Sequence, residues 1–179
     1  MPERQQFSIK QLSADDLEKY IEQLGDLLHA CVHAGASIGF VMPFSQTDAE
    51  DYWAARVLSA VQTNSVIVLA AMGGDALIGT VQLDIDTMPN QPHRAEVRKL
   101  MVHPDHRGQG IAKALMLEIE KVAEEHTRSL LTLDTRTGDA AEPLYTSLGY
   151  EIAGVIPGYC LDPFEDRLDA TTIMYKTLQ

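Results

Sequence analysis

The sequence predicts an α/β fold, a mixed central β-sheet of about seven strands flanked by about four helices, on three observations. Leu77, Gly79, Val81, Leu83 and Ile85 alternate with Thr80, Gln82, Asp84 and Asp86, the period of two that marks a strand with one buried and one polar face. Ile111, Ala112, Leu115, Met116, Ile119, Val122 and Ala123 fall within an arc of about 140° on a helix, with Lys113, Glu120 and Glu124 opposite, so that helix packs one face on a sheet. The elements run β, α, α, three strands, α, β, α, β, β, an interleaving that places helices on a mixed sheet.

Each element has a local cause. A first strand covers Phe7 to Leu12, and Ser13 then caps a helix whose first turns hold Asp15, Asp16 and Glu18, where negative charge favours the helix dipole. Leu17, Ile21, Leu24 and Leu28 give that helix its apolar stripe, and it ends before the loop Gly35 to Gly39. A second helix runs from Asp48 to Val61. Val66 to Met72 and Leu77 to Ile85 form a hairpin about Gly73-Gly74-Asp75. Pro89 and Pro92 break structure before a strand at Ala95 to His103. A long helix to Glu125, a strand at Arg128 to Asp134, a short helix at Asp139 to Leu148, a strand from Tyr150 and a last strand at Thr171 to Lys176 complete the order.

Composition narrows the function. The chain of 179 residues carries 14 Lys plus Arg against 26 Asp plus Glu, a formal net charge of −12. A surface this acidic repels phosphate backbones and anionic lipid, so neither nucleic acid nor membrane is an expected partner. Length and a 45% apolar composition suit one domain over residues 1–179. The longest apolar run, Val66 to Met72, is far below the roughly 18 residues of a spanning helix, and Met1 to Gln6 is polar, which leads to an expectation of a cytoplasmic protein. Cys31 and Cys160 form no CxxC motif and no disulfide framework.

The chemistry-bearing stretch is Arg107-Gly108-Gln109-Gly110-Ile111-Ala112-Lys113, between a strand and the start of an amphipathic helix. Glycines admit a ligand close to the backbone, and the first helical turn offers unpaired N–H groups at the positive end of a dipole, which together cradle a phosphate. The plain alternative is a glycine turn that only starts a helix. A P-loop is excluded because its Gly-Lys-Ser/Thr ending is missing. A dinucleotide fingerprint fails at Lys113, where a third glycine or alanine belongs, although Asp134 stands where a ribose ligand would.

The stretch resembles the acyl-CoA loop of the GNAT N-acetyltransferase superfamily, whose pattern places Arg or Gln, Gly, and Gly or Ala where this sequence has Arg107, Gly110 and Ala112. Val97-Arg98-Lys99-Leu100-Met101-Val102 resembles the family's splayed strand, and Leu144 to Tyr150 its last helix and strand. The resemblance implies a GNAT fold with acetyl-CoA as cosubstrate, bound by the backbone at Leu100, Met101 and Val102 and by Arg107 to Lys113, and no metal. Val32 to Phe40, Arg94 to Val97, Leu133-Asp134-Thr135, Gly138, Ala141-Glu142 and Pro157 to Cys160 are similar to the tabtoxin resistance acetyltransferase branch. That similarity implies a small-molecule amine substrate, amino-acid-like or of the toxin and antibiotic kind, with substrate-side walls at Gly35–Gly39 and Pro157–Cys160; a homodimer is within the expectation.

Acetyl transfer needs a neutral amine, and for a lysine-like amine only about one molecule in 2,500 is neutral at pH 7, a penalty of roughly 4.6 kcal/mol. Glu96 and Asp134 are the candidate bases, acting directly or through water; they equally could bind the substrate's ammonium. In the plainer reading Glu96 pairs with Arg98 and Asp134 caps a turn. Tyr145 is the candidate general acid for the departing thiolate, against a reading as a packed tyrosine. Carbonyl polarisation falls to a backbone N–H near Met101 or Val102. Pro143 requires the helix at Tyr145 to be in its first turn, begun by a capping box of Asp139 and Glu142. His103 with His106, and His29 with His33, lack the spacing or third ligand of a zinc site. Two other functions compete: an acyl-CoA sensor without turnover and a nicotinamide-dinucleotide enzyme.

Overall fold

The computed structural model describes residues 7–179, so the polar stretch Met1 to Gln6 lies outside the described residues. Seven strands form one sheet in the order β1-β2-β3-β4-β5-β7-β6. β1 (Ser8–Gln11), β2 (Val66–Gly73), β3 (Ala76–Asp84) and β4 (Arg94–Val102) pair antiparallel in succession. β4 then meets β5 (Leu130–Arg136) in parallel, and β5, β7 (Leu168–Thr177) and the edge strand β6 (Glu151–Leu161) are antiparallel again.

The first expected helix is divided at Tyr20 into α1 (Ala14–Lys19) and α2 (Ile21–His33). Ser13 caps it as predicted: its Oγ accepts from the Asp16 N–H at 3.1 Å while its own N–H donates to the Asp16 carboxylate at 3.1 Å. The second begins earlier than expected, because Ser45 forms the same capping box with Asp48. It runs as α3 (Gln46–Tyr52), a π-helical turn (Trp53–Val57) and α4 (Leu58–Gln62).

These helices cover one face of the sheet and α5 (Ile111–Glu125) covers the other, giving two apolar cores. That double cover corrects the reading of β3 as half polar. Thr80 and Gln82 are buried, and Gln82 Nε2 donates to the Tyr52 hydroxyl at 3.3 Å. Gly79 is there for a packing reason: a Cβ would come within 2.9 Å of the Met101 carbonyl oxygen and 3.2 Å of Ile111 Cγ2.

Glu120, expected in solvent, is buried and accepts from Lys176 Nζ at 2.7 Å, because β7 brings that lysine beneath the helix. The capping box at Asp139 does not form. Asp139 is drawn to Arg136 at 3.0 Å, Glu142 accepts from the Gly138 N–H at 3.0 Å, and α6 (Ala141–Ser147) has Ala140 at its N-cap, without a side-chain cap, and Pro143 in its first turn. The Pro157–Cys160 segment is a register shift within β6 rather than a turn, at an edge where proline's missing donor is tolerated.

The feature that positions the site is the parting of β4 from β5. They pair only through Arg94–Glu96 and Leu130–Thr132, after which β5 continues along β7 and β4 along β3. The backbone edges facing the gap are thereby left without a strand partner, an arrangement that admits an extended ligand.

Candidate active site

Two adjoining cavities open where the strands part, and they share Ala36, Leu100, Arg136, Asp139 and Ala141 as walls. One, of about 540 Å³, is bounded by Leu100, Met101 and Val102 of β4 and by Arg107, Gly108, Gly110, Ile111, Ala112 and Lys113 at the start of α5. Those are the cofactor residues expected from the sequence, except Gln109, which is exposed and off the wall.

The loop conformation explains the glycines. Gly108 and Gly110 have φ of +76° and +84°, a region costly for other residues, and a Cβ at either would meet nothing within 4 Å. Gly110 stands at the N-cap of α5 and no side chain caps it, so the first-turn N–H groups and the positive end of a 15-residue helix remain available to an anion. An open, uncapped, side-chain-free cradle fits the diphosphate of CoA. Arg107 Nε and the Cys31 thiol both donate to the Val102 carbonyl, at 3.4 and 3.5 Å. Cys31, on α2, was not foreseen on this wall; burial pushes its thiol pKa up.

The second cavity, of about 340 Å³, is lined by the Ala36–Gly39 loop, Arg98, Lys99, Asp134, Tyr145, Thr171, and Tyr159 with Cys160 of β6. The two segments expected as substrate-side walls therefore face each other here, with Ser37 Oγ 3.5 Å from Cys160 Sγ. Asp134 is exposed on this wall and accepts from Thr171 Oγ1 at 3.2 Å. It does not cap a turn or end its strand: β5 runs on to Arg136, held by pairing with β7, and Asp134 lies opposite Ile173.

Glu96 sits off the cavity wall, on the same sheet face as Asp134, since its β5 partner Thr132 is two residues before Asp134. It does not pair with Arg98, which is taken by Asp84 at 2.6 Å. Burial pushes the Glu96 pKa above the ordinary carboxyl value, only partly offset by Arg98 and reinforced by Asp84 and Asp134. Tyr145 is buried at 7% exposure, and burial first, with Asp134 and Asp139 after it, pushes its pKa up to about 12. That is further from a thiol's value of about 8.5 than the unperturbed phenol.

His33 Nε2 meets the Phe44 carbonyl at 2.9 Å, tying the end of α2 to the following loop. Among the described residues no cluster of three or more His, Cys, Asp or Glu side chains could hold a metal ion, and no helix is long and apolar enough to cross a membrane.

A sheet that splits at a groove, with an uncapped glycine-led helix at its mouth, is the arrangement that the resemblance to the GNAT superfamily implies. The profile of the acetyltransferase (GNAT) family matches residues 21–150, and the chain belongs to that family. Among curated proteins it is similar to human N-acetyltransferase 8B, 37% identical over 82 residues, which are 45% of this chain and 36% of that protein. The rat protein of the same name is 28% identical over 131 residues, 65% of this chain and 59% of that one, so the match spans less than two thirds of either relative. Among solved structures, yncA of Salmonella typhimurium with its cofactor acetyl-CoA superposes with a TM-score of 0.76 at 18% identity, covering 97% of this chain and 95% of that one. An N-acetyltransferase from Staphylococcus aureus Mu50 superposes at 0.80 with 14% identity, over 97% and 99%.

Proposed function

We propose that the chain transfers the acetyl group of acetyl-CoA to the primary amine of a small molecule by direct attack on the thioester. The observation that carries this reading is the meeting of the two cavities at Leu100, with a phosphate cradle on one side and, on the other, Asp134, which has no cationic partner among the described residues, on one wall with a buried tyrosine. A sensor of acyl-CoA needs only the first cavity. Lys113 stands where a dinucleotide loop needs a small residue, which disfavours nicotinamide.

In this reading acetyl-CoA supplies an acetyl group already activated as a thioester. The chain's residues do the rest. The α5 N-terminus and Arg107 hold the diphosphate, and the free edge of β4 from Leu100 to Val102 aligns the pantetheine arm and donates an N–H to the carbonyl as it gains charge. Asp134, on the wall, holds the acceptor's ammonium. Glu96, whose raised pKa makes it a stronger base than an ordinary glutamate, takes the proton through water.

Tyr145 faces the departing sulfur. A phenol near 12 gives up its proton to a thiolate near 8.5 only uphill, by about 5 kcal/mol, so its role is to donate a hydrogen bond that the sulfur strengthens as charge develops. The resemblance of Val32–Phe40 and Pro157–Cys160 to the tabtoxin resistance branch supports an acceptor of the toxin or antibiotic kind, since both segments line the acceptor cavity. Incubating the protein with acetyl-CoA and a panel of amines while free thiol is followed tests the reading; thiol release that no amine stimulates would refute it.

A further inference from the structure

Lys99 interrupts β4. Its φ is +52°, a left-handed backbone that side-chain-bearing residues rarely adopt, and it sits where the register slips: Arg98 pairs with Gln82 and Met101 with Thr80, leaving Lys99 and Leu100 opposite Val81 alone. A bulge of this kind re-aims a side chain. The ammonium lies 5.7 Å from the Phe40 ring centroid and 5.8 Å from that of Tyr52, and 3.5 Å from where a Cβ on Gly39 would be. The rings attract the charge while leaving its hydrogens unspent.

The cations of the acceptor cavity are not equivalent. Arg98 is engaged by Asp84 at 2.6 Å, and Arg136 by Asp139, Asp162 and Asp169 at 3.0, 3.4 and 3.6 Å. Among the described residues Lys99 has no carboxylate within 4.0 Å and no hydrogen-bond acceptor, and it is half-buried. Burial lowers its pKa, with Arg98 adding to the effect and Asp134 and Glu96 opposing it. An unpaired buried ammonium is costly, and an anion entering the cavity would relieve the cost. Among the described residues Asp134, across the same cavity, has no cationic partner, only the Thr171 hydroxyl.

We infer that Lys99 binds a carboxylate of the acceptor, so that the substrate is an amino-acid-type zwitterion with its ammonium at Asp134 and its carboxylate at Lys99. The inference rests on the acetyltransferase reading above and adds the anionic half of the substrate to it. One cation with two acidic neighbours suits a monoanion; a phosphate dianion would call for further donors.

The test is calorimetric titration of the CoA-bound protein with a panel of amino acids and, in parallel, their methyl esters, which keep the amine and lose the negative charge. In the wild type the acids bind about 10- to 100-fold more tightly than their esters. In Lys99→Met the ratio falls to about one, and in Lys99→Arg, which keeps the charge, it returns in part. A wild-type ratio near one, a ratio that survives in Lys99→Met, or no binding of any acid overturns the assignment. Thiol release from acetyl-CoA on the same pairs separates the two levels. Acids that bind with the expected ratio yet release no thiol sink the acetyltransferase reading and leave Lys99 standing; acids and esters that bind alike and are both acetylated do the reverse.

Discussion

The cofactor cavity and the acceptor cavity share a wall but are made of different materials. The first draws more than half of its lining from one stretch of chain, Leu100 to Lys113, which offers the free edge of β4, two glycines with positive φ and the uncapped N–H groups of α5. The second is mostly side chains, brought from the Ala36–Gly39 loop, β4, β5, α6, β6 and β7. Backbone and dipole recognise a ligand that never changes, while scattered side chains set a specificity that can be altered one residue at a time. Changes in one half should therefore act on one ligand.

The largest effect expected is at Glu96. Glu96→Gln lowers kcat/KM by about 10²- to 10⁴-fold, as for loss of a general base, with acetyl-CoA affinity unaffected. The deficit shrinks as pH approaches the amine's own pKa, where no base is needed, and the acid limb of the wild-type profile lies above the ordinary carboxyl value, as initial rates against pH will read. The same substitution has an opposite effect on stability. A raised carboxyl pKa means that the folded chain holds a poorly solvated charge at neutral pH, and below the unfolded value of 4.5 both states are protonated and the cost vanishes. Glu96→Gln therefore raises Tm at pH 7, by about 2 °C, and leaves it unchanged near pH 4.

Tyr145→Phe comes next, lowering kcat by about 100-fold with little change in acetyl-CoA affinity, as single-turnover rates and calorimetry will separate. Equal losses in rate and affinity would blur the division between halves. Gly110→Val tests the other side: a side chain in the open cradle, on a backbone with φ of +84°, weakens acetyl-CoA binding by about tenfold while the preference for acids over esters is kept. The smallest functional effect belongs to Gly79→Ala, where a Cβ 2.9 Å from the Met101 carbonyl oxygen and 3.2 Å from Ile111 Cγ2 overpacks the strand and helix behind the cofactor cavity. It destabilises by about 1–3 kcal/mol, visible as a lower Tm, with acetyl-CoA affinity lowered slightly and the preference for acids over esters kept.

This contrast also explains what the residues alone could disclose. The cradle was legible because its cause is local: glycines, an arginine and an amphipathic helix in sequence order, with only Gln109 turned away from the wall. Helix starts at Ser13 were legible for the same reason, whereas Ser45 was missed because a short polar run gives little periodicity. Glu96 and Asp134 were legible as candidate carboxylates on two strands, but that they share one sheet face, one behind the wall and one on it, depends on where β4 leaves β5. Lys99 was not legible at all. Its direction follows from a bulge in the pairing of β4 with β3, and its surroundings from Phe40 and Tyr52 in a separate part of the chain. Burial of Thr80, Gln82 and Glu120 likewise needed the second layer of helices and β7, which no alternation in β3 or α5 announces.

Acetyl transfer is tested most directly by a single-turnover assay on the acetyl-CoA complex, in which an amine is added and free thiol and N-acetylated product are counted together. One thiol and one acetylated amine are expected per acetyl-CoA consumed, at a rate that depends on the amine and falls in both Glu96→Gln and Tyr145→Phe. Tight binding of acetyl-CoA with no amine-dependent thiol release, or with release that neither substitution slows, would contradict it.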